Sequence, residues 1–142
     1  MAFQTRIKVR FGDEDHAGIV YFPRFLHFFH CAFEDFFDEQ GHPYRRCLDE
    51  DRVGWPAVHV ETDFRSPLRF GDVLHVTVTV ASLGRRSATF RYVGRRGDAD
   101  GPLVAEARIT VVAVGMDDFR PRPIPPRYRR LFEAHMEDAS TS

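Results

Sequence analysis

Residues 23–43, PRFLHFFHCAFEDFFDEQGHP, decide how the chain folds. Phe25, Phe28, Phe29, Ala32, Phe33, Phe36 and Phe37 recur at offsets of three and four, the spacing that gathers side chains on one face of an α-helix. Pro23 suits a first helical position, where a missing N–H costs nothing, and Gly41 followed by Pro43 supplies the stop. The spacing predicts one long helix with an unusually aromatic stripe. Such a stripe needs a broad apolar surface to cover it.

The flanks supply strands. Residues 3–11 alternate, with Phe3, Thr5, Ile7, Val9 and Phe11 on one face and Gln4, Arg6, Lys8 and Arg10 on the other, which predicts a half-buried strand. After an irregular stretch from His42 to Trp55, four more β-like runs are expected at about 57–66, 73–83, 86–94 and 103–114. Gly71-Asp72, Gly84-Arg85 and the polar run 94–102 mark the turns between them. In the second run Leu74, Val76, Val78 and Val80 alternate with His75, Thr77 and Thr79, as in an antiparallel strand with one face buried. The expected order is β-α-β-β-β-β, an α+β chain in which about five antiparallel strands curve around one helix. A small sheet leaves open edges and covers few phenylalanines, so a dimer is expected.

Composition narrows the function classes. The 142 residues are 43% apolar, enough for one domain with a core of its own. Residues 1–142 are therefore read as a single domain, with 137–142 as a flexible tail. A formal net charge of −1 removes the broad positive field that nucleic-acid and acidic-membrane binders use. Met1 to Arg10 lacks the pattern of a signal peptide, and no run approaches the length of a membrane span. Cys31 and Cys47 fit neither a disulfide framework nor a zinc pattern, which points to free thiols and a cytoplasmic protein.

The loop before the helix carries the chemistry. The run Phe11-Gly12-Asp13-Glu14-Asp15-His16-Ala17-Gly18-Ile19-Val20-Tyr21-Phe22-Pro23-Arg24-Phe25 resembles the signature of hotdog-fold thioesterases of the 4-hydroxybenzoyl-CoA thioesterase group. Val53-Gly54-Trp55-Pro56 and Ser66-Pro67-Leu68-Arg69-Phe70-Gly71-Asp72 support the resemblance, which runs from about residue 5 to 130. It implies a hotdog fold, a homodimer as catalytic unit, often doubled into a dimer-of-dimers tetramer, and hydrolysis of acyl-CoA thioesters. It also implies that Asp15 is the catalytic carboxylate, as nucleophile or general base. The backbone N–H of Phe22 would be the oxyanion donor, with Gly18 keeping the loop narrow.

The residues themselves are compatible with that. Thioester hydrolysis needs a nucleophile or base beside the carbonyl carbon and donors for the oxyanion, and a helix start offers unpaired N–H groups. Taken alone, Asp13 and Asp15 would read as turn or cap residues. The flanks raise Asp15 to a catalytic candidate and leave Asp13 as a structural buttress. Glu14 and His16 are expected to face solvent.

Arg120, Arg122, Arg127, Arg129 and Arg130 crowd into eleven residues, and phosphate is the natural partner of such a cluster. Within the resemblance, Arg120 and Arg122 match the region that contacts the CoA nucleotide. The competing reading is a solvated helix from about Pro126 to Met136. Of the seven histidines only His27 and His30 have a ligand-like spacing and the other five are scattered, so no metal and no cofactor is expected. His30 borders the apolar stripe and is a candidate pocket residue, a position where relatives acting on 4-hydroxybenzoyl-CoA carry an acid. His59, beside Glu61 on the second strand, is a candidate to reach the site from a partner subunit. The reading is an aryl- or acyl-CoA thioesterase. The alternatives are a hotdog enzyme of carrier-protein thioesters or a non-catalytic acyl-CoA binder.

Overall fold

The alternation at the start of the chain becomes strand β1, Phe3–Lys8, in a computed structural model that describes residues 2–137. β1 ends earlier than its sequence pattern suggests. Residues Phe11–Asp13 form a single 3-10 turn, which leaves Phe11 78% exposed rather than on the buried face.

Helix α1 runs Arg24–Glu39 and buries Phe25, Phe28, Phe29, Ala32, Phe33, Phe36 and Phe37. At roughly 1.5–3 kcal/mol for each fully buried large side chain, this stripe is a major source of stability. Gly41 closes the helix with a φ of +73°, a conformation that side chains with a Cβ adopt at a cost. The irregular stretch after it holds a helix the sequence reading missed, α2, Tyr44–Asp49. Pro43 starts it, and the Arg45–Asp49 and Arg46–Glu50 pairs, four residues apart, brace its outer face.

The remaining strands are β2 (Val53–Gly54), β3 (Ala57–Phe64), β4 (Val73–Leu83), β5 (Ser87–Arg96), β6 (Leu103–Val112) and β7 (Val114–Gly115). Four of them join β1 in one five-stranded antiparallel sheet in the order β1-β4-β5-β6-β3, and β2 pairs with β7. The period of two in β4 turns Leu74, Val76, Val78 and Val80 inward, each almost fully buried. They meet α1 together with β5, where Phe90 packs edge-on against Phe33 at 5.1 Å and Tyr92 lies 5.2 Å from Phe29. Helix α3, Pro126–Glu133, brings Tyr128 and Phe132 onto Trp55. Of the expected tail, all but Glu137 lies outside the described residues.

β3 is a sheet edge with a bulge at Val58, between Ala57 and His59. Seven of its eight residues are exposed, including Val58, Val60 and Phe64. Among the described residues no helix is long and apolar enough to cross a membrane.

Candidate active site

Between β1 and α1 the chain doubles back on itself. Glu14 and Val20 pair as an antiparallel bridge, with the Asp15 N–H donating to Ile19 O and the Tyr21 N–H to Asp13 O, both at 3.0 Å. The turn closes through the Gly18 N–H, which donates to Asp15 O at 3.0 Å, and Gly18 takes a φ of +79°. Glycine is required there by conformation, because a Cβ would meet nothing within 4 Å. The Asp15 carboxylate is exposed, and its Oδ1 accepts the Ala17 N–H at 2.8 Å. Asp15 therefore builds its own turn with one oxygen and leaves the other for a second partner. The Val20 N–H donates to Leu68 O at 2.8 Å and fastens this loop to the β3–β4 connection.

Asp13 is the buried member of the acidic run. Its Oδ2 accepts the Arg10 N–H at 2.8 Å, and its Oδ1 takes two hydrogen bonds from Arg24, at 3.1 Å from Nε and 2.7 Å from Nη2. Burial alone would raise this carboxyl, but the Arg10 N–H and the Arg24 guanidinium outweigh it and hold it below the ordinary carboxylate value. This is the buttress expected of Asp13. Glu14 departs from expectation. It is half-buried, and its Oε2 accepts the Phe70 N–H at 3.0 Å, a long-range cap that no local pattern announces. His16 is exposed.

At the start of α1, the Arg24 and Phe25 N–H groups bond back to Tyr21 O and Phe22 O. Among the described residues the Phe22 N–H has no acceptor, and Pro23 has no N–H to compete with it. Phe22 thus presents a free donor at the positive end of a 16-residue helix. Such a donor stabilises a negative oxygen.

A groove of about 500 Å³ runs alongside α1. Leu26, His30 and Phe33 form its helical wall, Tyr44 and Leu48 of α2 one flank, and Val60, Tyr92 and Ile109 the sheet side. Leu26 and His30 lie four residues apart on α1, so one face of the helix that follows Phe22 forms the groove wall.

His30 is therefore a lining residue, and its Nε2 sits 2.9 Å from Glu34 Oε2. His59 stands away from the groove on exposed β3, 2.8 Å from Glu61. Arg120 and Arg122 are both exposed in the segment after β7, where Phe119 turns the chain at a φ of +55°. The Arg122 guanidinium packs so closely over Gly115 that a Cβ there would collide with it. Arg127 and Arg129 serve the fold instead. Arg127 reaches Asp51, and Arg129 donates to Gly84 O and Arg85 O in the β4–β5 turn.

With this geometry in place, sequence comparison supplies the family. The sequence model of the thioesterase-like superfamily matches residues 9–132, nearly the whole described fold. The chain belongs to this superfamily. A 1,4-dihydroxy-2-naphthoyl-CoA hydrolase from Synechococcus elongatus is 37% identical over 84 residues, a span covering 58% of this chain and 62% of that protein. A thioesterase-superfamily crystal structure from Jannaschia superposes with a TM-score of 0.89 at 30% identity, covering 96% of this chain and 94% of the other. An Asp-to-Asn variant of 4-hydroxybenzoyl-CoA thioesterase, complexed with 4-hydroxybenzoyl-CoA, superposes with a TM-score of 0.81 at 27% identity, covering 92% and 98%.

In this thioesterase-like chain the residues that sequence reasoning missed are the groove walls. Tyr44 comes from α2, Tyr92 from β5, and Met116 and Phe119 from the turn after β7, and no spacing in the sequence relates these three segments. A buried knot of His42, Asp51 and Tyr128 was missed for the same reason. His42 Nε2 is 2.6 Å from the Tyr128 hydroxyl and 3.0 Å from Asp51 Oδ2.

Proposed function

We propose that the chain hydrolyses aryl- or acyl-CoA thioesters to the free acid and CoA. The observation that carries this reading is that a carboxylate with a spare oxygen and a free N–H share one loop, and that the helix leaving it walls a groove. The thioester carbonyl oxygen takes the Phe22 N–H, and the acyl group enters the groove past Leu26. Asp15 then acts in one of two ways. As nucleophile it bonds to the carbonyl carbon, expels the CoA thiolate and leaves a mixed anhydride that water cleaves. As general base it takes a proton from water, whose oxygen attacks the same carbon; the C–S bond then breaks and the CoA thiolate leaves, taking up the proton. Gly18 keeps the turn narrow enough for either.

Arg120 and Arg122 bind the nucleotide end of CoA, and His30 contacts the acyl group. The open edge of β3 supports pairing with a second copy, which would carry His59 toward the partner's site in a dimer or a dimer of dimers. We read residues 1–142 as one such domain. The free cysteines Cys31 and Cys47 are consistent with a reducing cytoplasm. The relative known as a 4-hydroxybenzoyl-CoA thioesterase and those known as 1,4-dihydroxy-2-naphthoyl-CoA hydrolases support a CoA thioester as substrate.

The test is thiol release from benzoyl-CoA and 1,4-dihydroxy-2-naphthoyl-CoA by the purified protein. Asp15→Asn is expected to lower kcat by at least about a thousandfold without changing the unfolding temperature. Retained turnover in that variant would remove Asp15 from the chemistry.

A further inference from the structure

Helix α2 is a wall of the groove that is held from outside the groove. The chain leaves α1 through Gly41, at a φ of +73°, and enters β2 through Arg52, at a φ of +56°, two left-handed positions that bracket residues 42–51. Between them α2 turns Tyr44 and Leu48 toward the groove and leaves Arg45 and Arg46 exposed. A helix of six residues has little stability of its own, so its place depends on what it touches. Its inner contacts are apolar. The Tyr44 ring lies 5.6 Å from both Phe33 and Phe37, and Cys47 is fully buried. Apolar contact rewards burial but has no direction, so it holds α2 against α1 without fixing its angle.

The directional ties sit at the two ends of the segment, and both close on one hydroxyl. His42 directly precedes Pro43, and Asp51 is joined to the body of α2 by its N–H, which donates to Arg46 O at 3.1 Å. Arg127 Nη1 stands 3.4 Å from His42 Nδ1, which makes Nδ1 the acceptor and leaves the proton on Nε2. The Nε2–H donates to the Tyr128 hydroxyl at 2.6 Å, and that hydroxyl donates to Asp51 Oδ2. His42 is 8% exposed and Tyr128 1%, so water competes little for these bonds. Tyr128 lines no part of the groove and faces a separate cleft with Gln40 and Gly41.

Resting on the proposed thioesterase reading, we infer that Tyr128 is a positioning residue for acyl-group selection: its hydroxyl clasps both ends of segment 42–51 and so sets how far Tyr44 and Leu48 stand from the sheet side of the groove. With the clasp closed, α2 limits the width of the acyl group. With it open, α2 swings about Gly41 and Arg52, and bulkier groups enter. Asp15 and Phe22 lie on the loop before α1, at the opposite end of that helix from Gly41, so the chemical step is unaffected.

The experiment compares benzoyl-CoA with 4-phenylbenzoyl-CoA, which adds one ring to the same thioester. Tyr128→Phe removes a single oxygen and keeps the ring that packs on Phe37 and Trp55. In that variant the kcat/KM ratio of the larger to the smaller ester is expected to rise about fivefold or more, carried by KM, with kcat moving less than about twofold. Asp51→Ala should raise the ratio likewise, and Asp51→Asn less, because its amide oxygen still accepts the phenol's hydrogen bond. Val78→Ala, a core truncation on β4 away from the groove, lowers the unfolding temperature and should leave the ratio alone. A ratio unmoved in Tyr128→Phe, or raised as much in Val78→Ala, overturns the clasp. Trp55, the single tryptophan, lies in the groove wall, so its fluorescence titrated with benzoate and 4-phenylbenzoate reads the same preference without hydrolysis. If no ester is turned over yet the larger acid gains about fivefold in relative affinity in Tyr128→Phe, the clasp stands and the hydrolase reading fails. An unchanged relative affinity overturns the clasp whatever the turnover.

Discussion

Arg24 Nη2 lies 2.7 Å from Asp13 Oδ1, tying the first turn of α1 to the turn that precedes Asp15. Phe22, whose N–H has no acceptor among the described residues, sits between the two anchors in sequence. The relative position of carboxylate and donor is thus held by the Asp13–Arg24 pair. The Asp13 side chain is 6% exposed and Arg24 42%, so water screens the pair from one side only.

Loosening this clamp is expected to cost turnover more than binding. Arg24→Gln removes the charge and keeps much of the stem, so it should lower kcat by roughly tenfold with little change in KM. Asp13→Ala leaves the Arg10 N–H and the guanidinium unpaired and should cost about 2–4 kcal/mol of stability, read by urea unfolding. An Arg24→Gln enzyme with full kcat would show that the clamp does not position the site.

Stability should fall in acid through two carboxylates. Asp51 is held below the ordinary value chiefly by the hydrogen bond from the Tyr128 hydroxyl, with His42 and Arg127 adding to it, and Asp13 is lowered as described above. A carboxyl lowered in the folded state stabilises it fully above the unfolded value, near 3.8, and that contribution disappears as pH falls through the folded value. Urea midpoints are therefore expected to be flat near neutrality and to drop steeply below about pH 4. Asp51→Asn should shallow that drop. Tyr128→Phe should cost about 1–3 kcal/mol at neutral pH, because Asp51 and His42 lose their shared donor and acceptor.

Gly54 tests the groove. A Cβ there would come within 2.8 Å of Met116 Sδ, the flexible end of a lining side chain. Gly54→Ala should push the thioether into the groove, so the expected effect is a severalfold rise in KM for bulky aryl esters and a smaller one for acetyl-CoA. Unfolding temperature should move by only a few degrees. Equal KM changes for large and small acyl groups would mean that the groove does not hold them.

These groups differ in how far the sequence disclosed them. The phenylalanines of α1 were legible because a period of 3.6 is enforced by the helix itself, and the β4 alternation because a half-buried strand enforces a period of two. Phe11 broke that pattern because the chain turns after Lys8, where register no longer governs burial. Helix α2 had a readable start at Pro43 and paired charges at Arg45 and Asp49, but it is only six residues long. Asp15 and Asp13 were distinguishable only through the family-like flanks, since both are aspartates in a tight loop. Their difference is one of burial, set by Arg24 eleven residues on. The groove was beyond reach because Tyr44 and Tyr92 come to line one cleft only through the packing of α2 against α1 and β2.

The two arginines proposed for the nucleotide should separate under mutation. Arg122 is wedged over Gly115, and its N–H donates to Ala113 O at 2.9 Å, so its side chain is part of the β7 turn. Arg120 sends only its backbone into that turn, its N–H to Asp118 Oδ1 at 3.0 Å and its carbonyl to the Gly115 N–H at 3.1 Å. Arg120→Ala should therefore leave stability nearly intact, whereas Arg122→Ala should lower it. Their binding effect is read by comparing a CoA ester with the matching pantetheine ester, which has the same acyl group and thiol arm but no nucleotide. If Arg120 holds a CoA phosphate, its loss raises KM for the CoA ester by roughly five- to tenfold, less at high salt, and leaves the pantetheine ester untouched. A parallel rise for both esters would place Arg120 outside the nucleotide site, since only a contact beyond the pantetheine arm can tell the two substrates apart.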